Sequence, residues 1–270
     1  MSNKSSANDK IYNTKDQIIA DFLKNRNLEK TNKKWKMPKP RHSLYGLFGK
    51  RILDICLSLP AVIILLPVYA IVSLCVFINL GSPIIYKQTR IGKNGKKFDM
   101  YKFRSMNEKK DANGELLPPN ERLTKFGKFI RKVSLDELPE FINVLKGDMS
   151  IIGPRPLPVF FIDRMSERHK KRDAVKPGLE CPYFTPEGTK LNPYQLKFEN
   201  DIDYIENISF KKDIEMIFRL VKLTLNMKSR KSHAGALSYF MGYDDNCYAV
   251  GMTSVNEQYD VEKILKAEEV

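Results

Sequence analysis

Residues 55–86 read ICLSLPAVIILLPVYAIVSLCVFINLGSPIIY and contain no charged side chain. An uncharged apolar stretch of this length is what entering or crossing a lipid bilayer requires. As a straight helix, residues 55–80 would measure about 39 Å at about 1.5 Å per residue, enough to cross the hydrocarbon core. The stretch lies far from Met1, so we do not expect it to be a cleavable signal peptide. The uncharged apolar stretch therefore predicts a membrane segment.

The residues of this segment leave its path open between two alternatives. Pro67 removes a backbone donor and clashes with the preceding turn, which predicts a kink between two halves of roughly 18 to 20 Å, each too short to cross. Both flanks are basic, so the positive-inside rule predicts that both ends are cytoplasmic. A helix that enters, breaks at Pro67 and returns satisfies both observations. An ordinary transmembrane helix with a tolerated proline kink is the alternative.

Most of the formal charge of +14 lies on either side of this segment. Residues 1–51 carry 13 Lys or Arg against 4 Asp or Glu, and residues 87–155 carry 16 against 9. These blocks favour anionic membrane lipids at the cytoplasmic face. No nucleic acid partner is predicted, because the cations flank an apolar segment without a pattern of stacking aromatics. Four Cys and three His without CxxC or HxxxH spacing exclude a disulfide framework and a zinc cluster.

The remaining chain is predicted to be mainly helical with one small hairpin. Residues 1–42 are polar, and we interpret them as a poorly packed extension with one amphipathic helix around residues 16–28. Two alternating β-prone runs, residues 84–90 and 98–104, flank Asn94-Gly95 and predict a β-hairpin.

Two further segments show apolar side chains at helical spacing. The first is basic, so it can lie in the membrane interface or pack on the core of its own domain, and the sequence leaves both open. The apolar positions are Leu123, Phe126, Ile130 and Val133 in the first segment, and Ile214, Ile217, Phe218, Val221 and Leu225 in the second.

Residues 134–148, SLDELPEFINVLKGD, carry the residues best suited to chemistry. Ser134 and Glu137 have the spacing of a capping box, and Gly147 is expected to end the helix. Asp136 and Glu137 would then lie in the first turn, where acidic residues commonly complement the helix macrodipole. Adjacent helix positions also point about 100° apart, so one carboxylate can attack phosphorus while the other holds a metal. Both interpretations stay open at this point.

Attack on a phosphate requires its negative charge to be neutralised by Mg²⁺ and by Arg or Lys. Arg131 lies five residues before Asp136, and Arg155 lies in a Gly-Pro-Arg-Pro sequence whose prolines would stiffen its backbone. Lys102 and Arg104 of the predicted hairpin are further candidates for substrate binding.

The order of these motifs resembles that of the bacterial sugar transferases, which are monotopic phosphoglycosyl transferases, also called polyprenyl-phosphate hexose-1-phosphate transferases. The resemblance extends from about Tyr45 to Asn226. It rests on KRILD at 50–54, the apolar run with Pro67, YKFRSM at 101–106, SLDELP at 134–139, NVLKGDMS at 143–150 and GPRP at 153–156.

This resemblance implies a reaction in which a UDP-sugar donates its sugar 1-phosphate to polyprenyl (undecaprenyl) phosphate at the cytoplasmic face of the bacterial inner membrane. UMP is released, and the product initiates surface glycan or exopolysaccharide assembly. The resemblance further implies that Asp136 forms a covalent phosphosugar intermediate and that Glu137 coordinates Mg²⁺. Arg131 and Arg155 would bind phosphate or nucleotide. It also favours re-entry at Pro67.

The sequence departs from the family pattern at two places. Leu66 stands where the family usually has Ser, and residues 179–185 replace a Gly-Trp-Ala-Gln-Val type of loop on the nucleotide-sugar side. The altered loop leaves the identity of the donor sugar open. It also leaves open the alternative that the chain is a catalytically silent homologue, which acts as a membrane scaffold for glycan assembly enzymes. The sequence also leaves open whether the chain forms a homo-oligomer.

The expected protein is therefore mainly α with a small β-hairpin, monotopic, with a re-entrant, proline-broken membrane helix and interfacial amphipathic helices. The expected divisions are a basic polar extension at 1–44, the membrane helix at 45–86, a cytoplasmic catalytic domain at 87–226 and a C-terminal extension at 227–270.

Overall fold

A computed structural model describes residues 14–182, 193–225 and 239–268. This part of the chain is mainly helical with three two-stranded sheets, as the sequence predicts for the helices and the hairpin. The helices are α1 (Thr14–Lys34), α2 (Lys50–Leu80), α3 (Pro119–Arg122), α4 (Lys125–Lys132), α5 (Glu140–Lys146), α6 (Glu167–Lys170), α7 (Pro193–Glu206), α8 (Phe210–Leu225), α9 (Met252–Gln258) and α10 (Val261–Glu268). The strands are β1 (Ile85–Ile91), β2 (Lys97–Phe103), β3 (Ser150–Ile152), β4 (Gly178–Glu180), β5 (Phe240–Tyr243) and β6 (Ala249–Gly251).

The predicted hairpin is confirmed. Strands β1 and β2 pair antiparallel from Ile85 opposite Phe103 to Ile91 opposite Lys97. Asn94 and Gly95 have φ values of 56° and 74°, the left-handed conformation that Asn-Gly adopts at low cost in a tight turn. Lys102 lies next to the last residue of β2, opposite Tyr86 of β1.

Helix α2 continues a π-helical turn at Tyr45–Gly49, and both Pro60 and Pro67 lie inside it. Over its most apolar 18 residues, the combined helix has a mean hydropathy of 2.9, and only 11% of these residues are buried. Among the helices of the described residues, this is the one whose length and composition would allow it to cross a membrane. Its low burial distinguishes it from the core helix of a soluble domain.

Both ends of α2 contact the same globular body. Near the start, Arg51 donates hydrogen bonds to the carbonyls of Val144 and Leu145, both at 2.6 Å. Toward the end, the Tyr69 hydroxyl donates to the carbonyl of Leu138 at 2.5 Å. At the last turn, the Arg104 guanidinium binds the Leu80 carbonyl. The two halves of α2 are thus attached to the same short helical segment and to the hairpin beside it.

A buried polar network joins the start of α2 to the helices behind it. Asp213 of α8 accepts hydrogen bonds from Tyr45 at 2.5 Å, Lys50 at 2.7 Å and Tyr204 at 2.6 Å. One helical turn after Lys50, Asp54 accepts hydrogen bonds from β3. These contacts fix the orientation of α2 relative to the domain that follows it.

The N-terminal extension packs against the C-terminal extension. Ile19, Ala20 and Leu23 of α1 are buried together with Met241 of β5 and Val250 of β6. The expectation of a poorly packed extension is therefore wrong for residues 14–34. The apolar side of α1 is covered by strands more than 200 residues later in the chain, a contact that local sequence does not reveal.

Three cations of α1 bind the turn between β5 and β6. Arg26 pairs with the Asp245 carboxylate at 2.9 Å, Lys30 donates to the Asp245 carbonyl at 2.6 Å, and Lys34 donates to the Asn246 carbonyl at 2.7 Å. Part of the N-terminal basic block thus serves intramolecular contacts. Residues 227–238 of the expected C-terminal extension (227–270) lie outside the described residues.

Helices α4 and α8 each pack one face on the core and expose aromatic side chains on another. Ile130 of α4 and Met216 of α8 are buried, which confirms the core-packing alternative that the sequence left open for α4. Phe129 of α4 and Phe218 and Val221 of α8 are exposed. These exposed faces are suited to a membrane interface, which stays a prediction.

Candidate active site

The turn at residues 134–137 places two acidic side chains in different environments. Ser134 has a left-handed backbone and makes no capping hydrogen bond, and Leu135–Glu137 form a single 3₁₀ turn before α5 begins. The predicted capping box is wrong, because the Glu137 side chain binds cations from elsewhere instead of returning to Ser134. Gly147 does end α5, with φ of 90° at the position where a left-handed residue is needed.

Asn143 of α5 holds the hairpin against the turn. Its side-chain oxygen accepts from the Tyr101 N–H at 2.9 Å, and its Nδ2 donates to the Asp99 carbonyl at 2.7 Å. The buried amide therefore occupies one donor and one acceptor of β2, as a neighbouring strand would. Lys102, the residue after Tyr101 in β2, is thereby held beside Glu137 and Glu140.

Arg155, in the segment that follows β3, also binds Glu137. The parallel strands β3 and β4 lie so close that a Cβ on Gly178 would be 2.1 Å from the Gly153 nitrogen, so only glycine fits there. The Arg155 carbonyl accepts a hydrogen bond at 2.8 Å from buried Arg172, which pairs with Asp201 at 2.7 Å. This support fixes the backbone from which the Arg155 side chain extends.

Lys102 and Arg155 meet at two glutamates. Lys102 Nζ lies 2.7 Å from Glu137 Oε1 and 3.1 Å from Glu140 Oε1. Arg155 Nη2 binds Glu137 Oε1 and lies 4.0 Å from Glu140 Oε1. Glu140 is 1% exposed, so this cluster is closed on the side of α5 and open toward Glu137.

The cations and burial act oppositely on the two glutamates. Burial opposes ionisation of Glu137, but the charges of Arg155 and Lys102 outweigh it and lower the Glu137 pKa to about 2. Burial dominates at Glu140 and raises its pKa, although the same cations oppose that shift. Glu137 is thus ionised at neutral pH, and ionisation of Glu140 is less favourable than that of an exposed glutamate.

Asp136 is buried without a cation of its own. It is 7% exposed, and in the part of the chain described no salt bridge or side-chain hydrogen bond joins its carboxylate to another residue. Burial raises its pKa, the Glu137 charge adds to that shift, and Lys102 and Arg131 oppose it. Arg131 is held by a hydrogen bond of 2.8 Å from its Nε to the Ser105 hydroxyl. A carboxylate with so few hydrogen bonds is available for reaction.

The structure brings together five of the side chains that the sequence singled out and separates one. Asp136, Glu137, Lys102, Arg131 and Arg155 share one region. Arg104 instead binds the carbonyls of Leu80, Gly81 and Ser82 at the end of α2, where a cation complements the negative end of the helix. Arg104 was a candidate for substrate binding, but it caps the end of α2 and lies away from the Glu137 cluster.

Two acidic residues of the region were missed by the sequence interpretation. Glu140 follows Glu137 by three residues, a spacing that places both on one face of a helix and was available as a pattern. Glu180 Oε2 lies 3.8 Å from Arg155 Nη1, and nothing in its local sequence indicated this contact.

The chemistry of Glu137 fits a magnesium ion. Its Oε1 is held by both cations, whereas its Oε2 accepts no hydrogen bond within the described ranges. The same ranges contain no group of three His, Cys, Asp or Glu able to hold a metal. Mg²⁺ is commonly bound by one or two carboxylates together with substrate phosphates, so one open carboxylate oxygen is sufficient on the protein side.

The fold and the site define a mainly helical protein in which a cluster of acidic and cationic side chains lies beside a long apolar helix that could span a membrane. The family profile described as "Bacterial sugar transferase" matches residues 45–227, which include α2 and every residue of the site. The chain therefore belongs to the bacterial sugar transferase family. The prediction from the order of its motifs is confirmed.

Individual relatives show how the match is distributed. The "Uncharacterized sugar transferase EpsL" of Bacillus subtilis (strain 168) is 41% identical over 182 residues, covering 67% of this chain and 86% of the relative. The "UDP-glucose:undecaprenyl-phosphate glucose-1-phosphate transferase" of Escherichia coli (strain K12) is 36% identical, covering 64% of this chain and 39% of the relative. The "UDP-N-acetylgalactosamine-undecaprenyl-phosphate N-acetylgalactosaminephosphotransferase" of Aeromonas hydrophila is 34% identical over 66% and 44%, respectively. The chain thus spans less than half the length of the last two relatives.

Proposed function

We propose that the protein transfers a sugar 1-phosphate from a UDP-sugar to undecaprenyl phosphate, releasing UMP and forming an undecaprenyl diphosphosugar. The observation that carries the proposal is buried Asp136, which lacks a salt bridge within the described residues, beside Glu137 with its two bound cations. The names of the Escherichia coli and Aeromonas hydrophila relatives describe reactions of this type. The product would initiate the assembly of a surface glycan or exopolysaccharide.

The chemistry proceeds in two displacements at phosphorus. A carboxylate oxygen of Asp136 attacks the β-phosphorus of the donor, and the bond from that phosphorus to the bridging oxygen breaks, so UMP leaves. The sugar phosphate is then joined to Asp136 as an acyl phosphate. A phosphate oxygen of the lipid attacks the same phosphorus, and the electron pair of the breaking bond returns to the Asp136 carboxylate.

The neighbouring side chains bind and neutralise the phosphates. Lys102 and Arg155 are positioned by the hairpin and β3 before any substrate arrives, so little reorganisation is needed at the moment of transfer. Arg131 adds a positive charge on the Asp136 side. The open Oε2 of Glu137 would hold Mg²⁺, which when bound neutralises charge on the diphosphate and the leaving UMP.

A monotopic, re-entrant path for α2 on the cytoplasmic face is part of this proposal. A straight helix would separate the Cα atoms of Arg51 and Tyr69 by about 27 Å, whereas their acceptors on Leu145 and Leu138 lie seven residues apart on a helical segment, about 10 Å. A bend at Pro67, which lies between the two anchors, reduces the distance that these side chains must bridge. Re-entry would also keep the acceptor phosphate at headgroup level beside Asp136.

The reaction is tested with purified protein, Mg²⁺, undecaprenyl phosphate and a panel of UDP-sugars. We expect UMP release with at least one donor, a covalent phosphosugar adduct on Asp136 by mass spectrometry, and loss of both in Asp136→Asn. UMP release that survives this substitution would exclude Asp136 as the nucleophile. Absence of turnover with every donor would favour the scaffold alternative.

The path of α2 is tested separately by labelling. In a variant lacking native cysteines, single cysteines replace Leu44 or Lys87 at the two ends of the membrane segment. A membrane-impermeant thiol reagent is added to sealed inside-out and right-side-out vesicles. Re-entry predicts that both positions react in inside-out vesicles alone, whereas reaction from opposite sides would identify a crossing helix.

A further inference from the structure

Glu180 is a third acidic side chain at Arg155, in the stretch that departs from the family pattern. Arg155 directs Nη2 to Glu137, and Nη1 lies 3.8 Å from Glu180 Oε2. The two carboxylates are therefore separated by one guanidinium group. Of the departing stretch 179–185, residues 183–185 lie outside the described part, and Glu180 lies within it.

The backbone and one oxygen of Glu180 are fixed. Its carbonyl accepts from the Gly153 N–H at 3.2 Å across the β3–β4 pair, and its Oε1 accepts from the Cys181 N–H at 3.1 Å. Asn200 of α7 donates to the Cys181 carbonyl at 3.1 Å. The carboxylate is thus held in one orientation by a rigid element, as a binding residue requires.

Arg155 does not depend on Glu180 for its position. Its Nη1 donates to the Leu179 carbonyl at 2.5 Å, and its Nη2 binds Glu137. The separation of 3.8 Å from Glu180 exceeds hydrogen-bond distance. The Glu180 side chain is 32% exposed, and among the described residues no group donates a hydrogen bond to its Oε2. It is an accessible acceptor next to the phosphate-binding arginine.

The charge of Glu180 determines what it can bind. A carboxylate repels phosphate, so the donor diphosphate is expected on the Lys102 side of Arg155, where Mg²⁺ held by Glu137 would offset the charge of that carboxylate. The groups attached to that diphosphate, a sugar and a ribose, are uncharged and carry neighbouring hydroxyls. An ionised carboxylate only accepts hydrogen bonds, and acidic side chains bind ribose hydroxyls in this way in dinucleotide sites.

We propose that Glu180 is a specificity-determining residue of the donor site, which accepts hydrogen bonds from neighbouring hydroxyls of the nucleotide-sugar. The inference rests on the proposed function, since it concerns the same donor. These hydroxyls belong either to the sugar or to the ribose. Donors that lack a hydroxyl on one or the other group distinguish the two possibilities.

The test compares wild type, Glu180→Gln and Glu180→Asp in Mg²⁺-dependent UMP release. The donors are UDP-sugars that differ at single hydroxyls, together with the 2′-deoxyuridine form of the best donor. Loss of a charge-assisted hydrogen bond predicts a fall in kcat/KM of about 10- to 100-fold in Glu180→Gln, with partial recovery in Glu180→Asp. Exposed Glu257→Gln is the matched control, and equal melting temperatures establish that the variants are folded.

The pattern across donors identifies the contact. Sugar contact predicts a loss that disappears for donors lacking the contacted hydroxyl, and ribose contact predicts an equal loss for all ribose donors that disappears with the 2′-deoxy form. Equal kcat/KM in wild type and Glu180→Gln, or the same loss with every donor including the 2′-deoxy form, would overturn the role of Glu180 and leave the proposed function standing. Absence of wild-type turnover would overturn both.

Discussion

Asp213 and Asp136 are both buried, with 0% and 7% of their surfaces exposed, but their surroundings differ. Asp213 accepts hydrogen bonds from Tyr45, Lys50 and Tyr204, so both of its oxygens and its charge are compensated. Asp136 has no such partner within the described residues, and its neighbour Glu137 carries a like charge. The first carboxylate joins the long apolar helix α2 to α8, and the second lies beside Glu137.

We expect this difference to separate a structural carboxylate from a reactive one. Removing one partner of a compensated buried ion pair leaves an uncompensated charge and costs stability. A buried carboxylate without partners already destabilises the fold, so neutralising it does not. The two residues are similar in burial, and the hydrogen-bond donors around each of them distinguish their expected roles.

The largest expected effect is on catalysis at Asp136. Asp136→Asn should reduce UMP release on the order of 10⁴-fold or more, as expected for loss of a nucleophile. It should leave the melting temperature in detergent unchanged or higher, because it removes an unpaired buried charge. Kinetics and thermal unfolding of the same preparation test both parts. A fall in stability would place Asp136 among the structural carboxylates and contradict the comparison.

Asp213→Asn should have the opposite effect. The substitution leaves the buried Lys50 ammonium without its counter-charge and should lower the free energy of unfolding by about 3 to 5 kcal/mol. Denaturant unfolding in detergent measures this change. The control is Asp203→Asn, because Asp203 is 52% exposed in its pair with Lys212 and should change stability by less than about 1 kcal/mol. Equal effects of the two substitutions would mean that the buried network is not an anchor.

Asn143 tests the connection between architecture and site. Asn143→Ala would leave the Tyr101 N–H and the Asp99 carbonyl without their partner and should cost about 2 to 4 kcal/mol. It should also raise the KM for the donor, because Lys102 of β2 loses its fixed position. Exposed Asn256→Ala serves as the control for both measurements. Destabilisation without any change in KM would show that Lys102 is positioned by other contacts.

The smallest expected effect is a pH dependence of stability from buried His169. Burial lowers its pKa from the ordinary value near 6.5, although Glu199 opposes this shift. The folded protein therefore binds fewer protons than the unfolded chain below about pH 6.5, and stability should fall as the pH decreases, by at most about 1.4 kcal/mol per pH unit. Above that pH this contribution should be constant.

Denaturant unfolding between pH 5 and 7 measures the slope. Glu199 does not titrate in this range in the folded protein, because its pKa is lowered to about 2. At that residue burial acts against the hydrogen bonds from His169 and Arg168, which prevail. His169→Gln should flatten the slope, and His42→Gln, at an exposed position, should not. An unchanged slope in His169→Gln would assign the pH dependence to other groups.

Much of the fold was predictable because its causes are local. The Asn94-Gly95 turn, the glycine at the end of α5 and the uncharged run of α2 each depend on residues within one element. The packing of α1 was not predictable, because its partners are β5 and β6 at the other end of the chain. The capping box was predicted wrongly because cations from two distant elements bind Glu137 more favourably than Ser134 does.

The sequence by itself determined the family, the long apolar helix and the position of the acidic pair, because these depend on the order and spacing of residues. The tertiary structure decided which cations serve the site. Lys102 and Arg155 converge on Glu137, whereas Arg104, two residues after Lys102, binds the end of α2. It also set Glu180 beside Arg155. Electrostatic interactions depend on distance in space, and that distance is established only when the hairpin, α5 and the β3–β4 pair pack together.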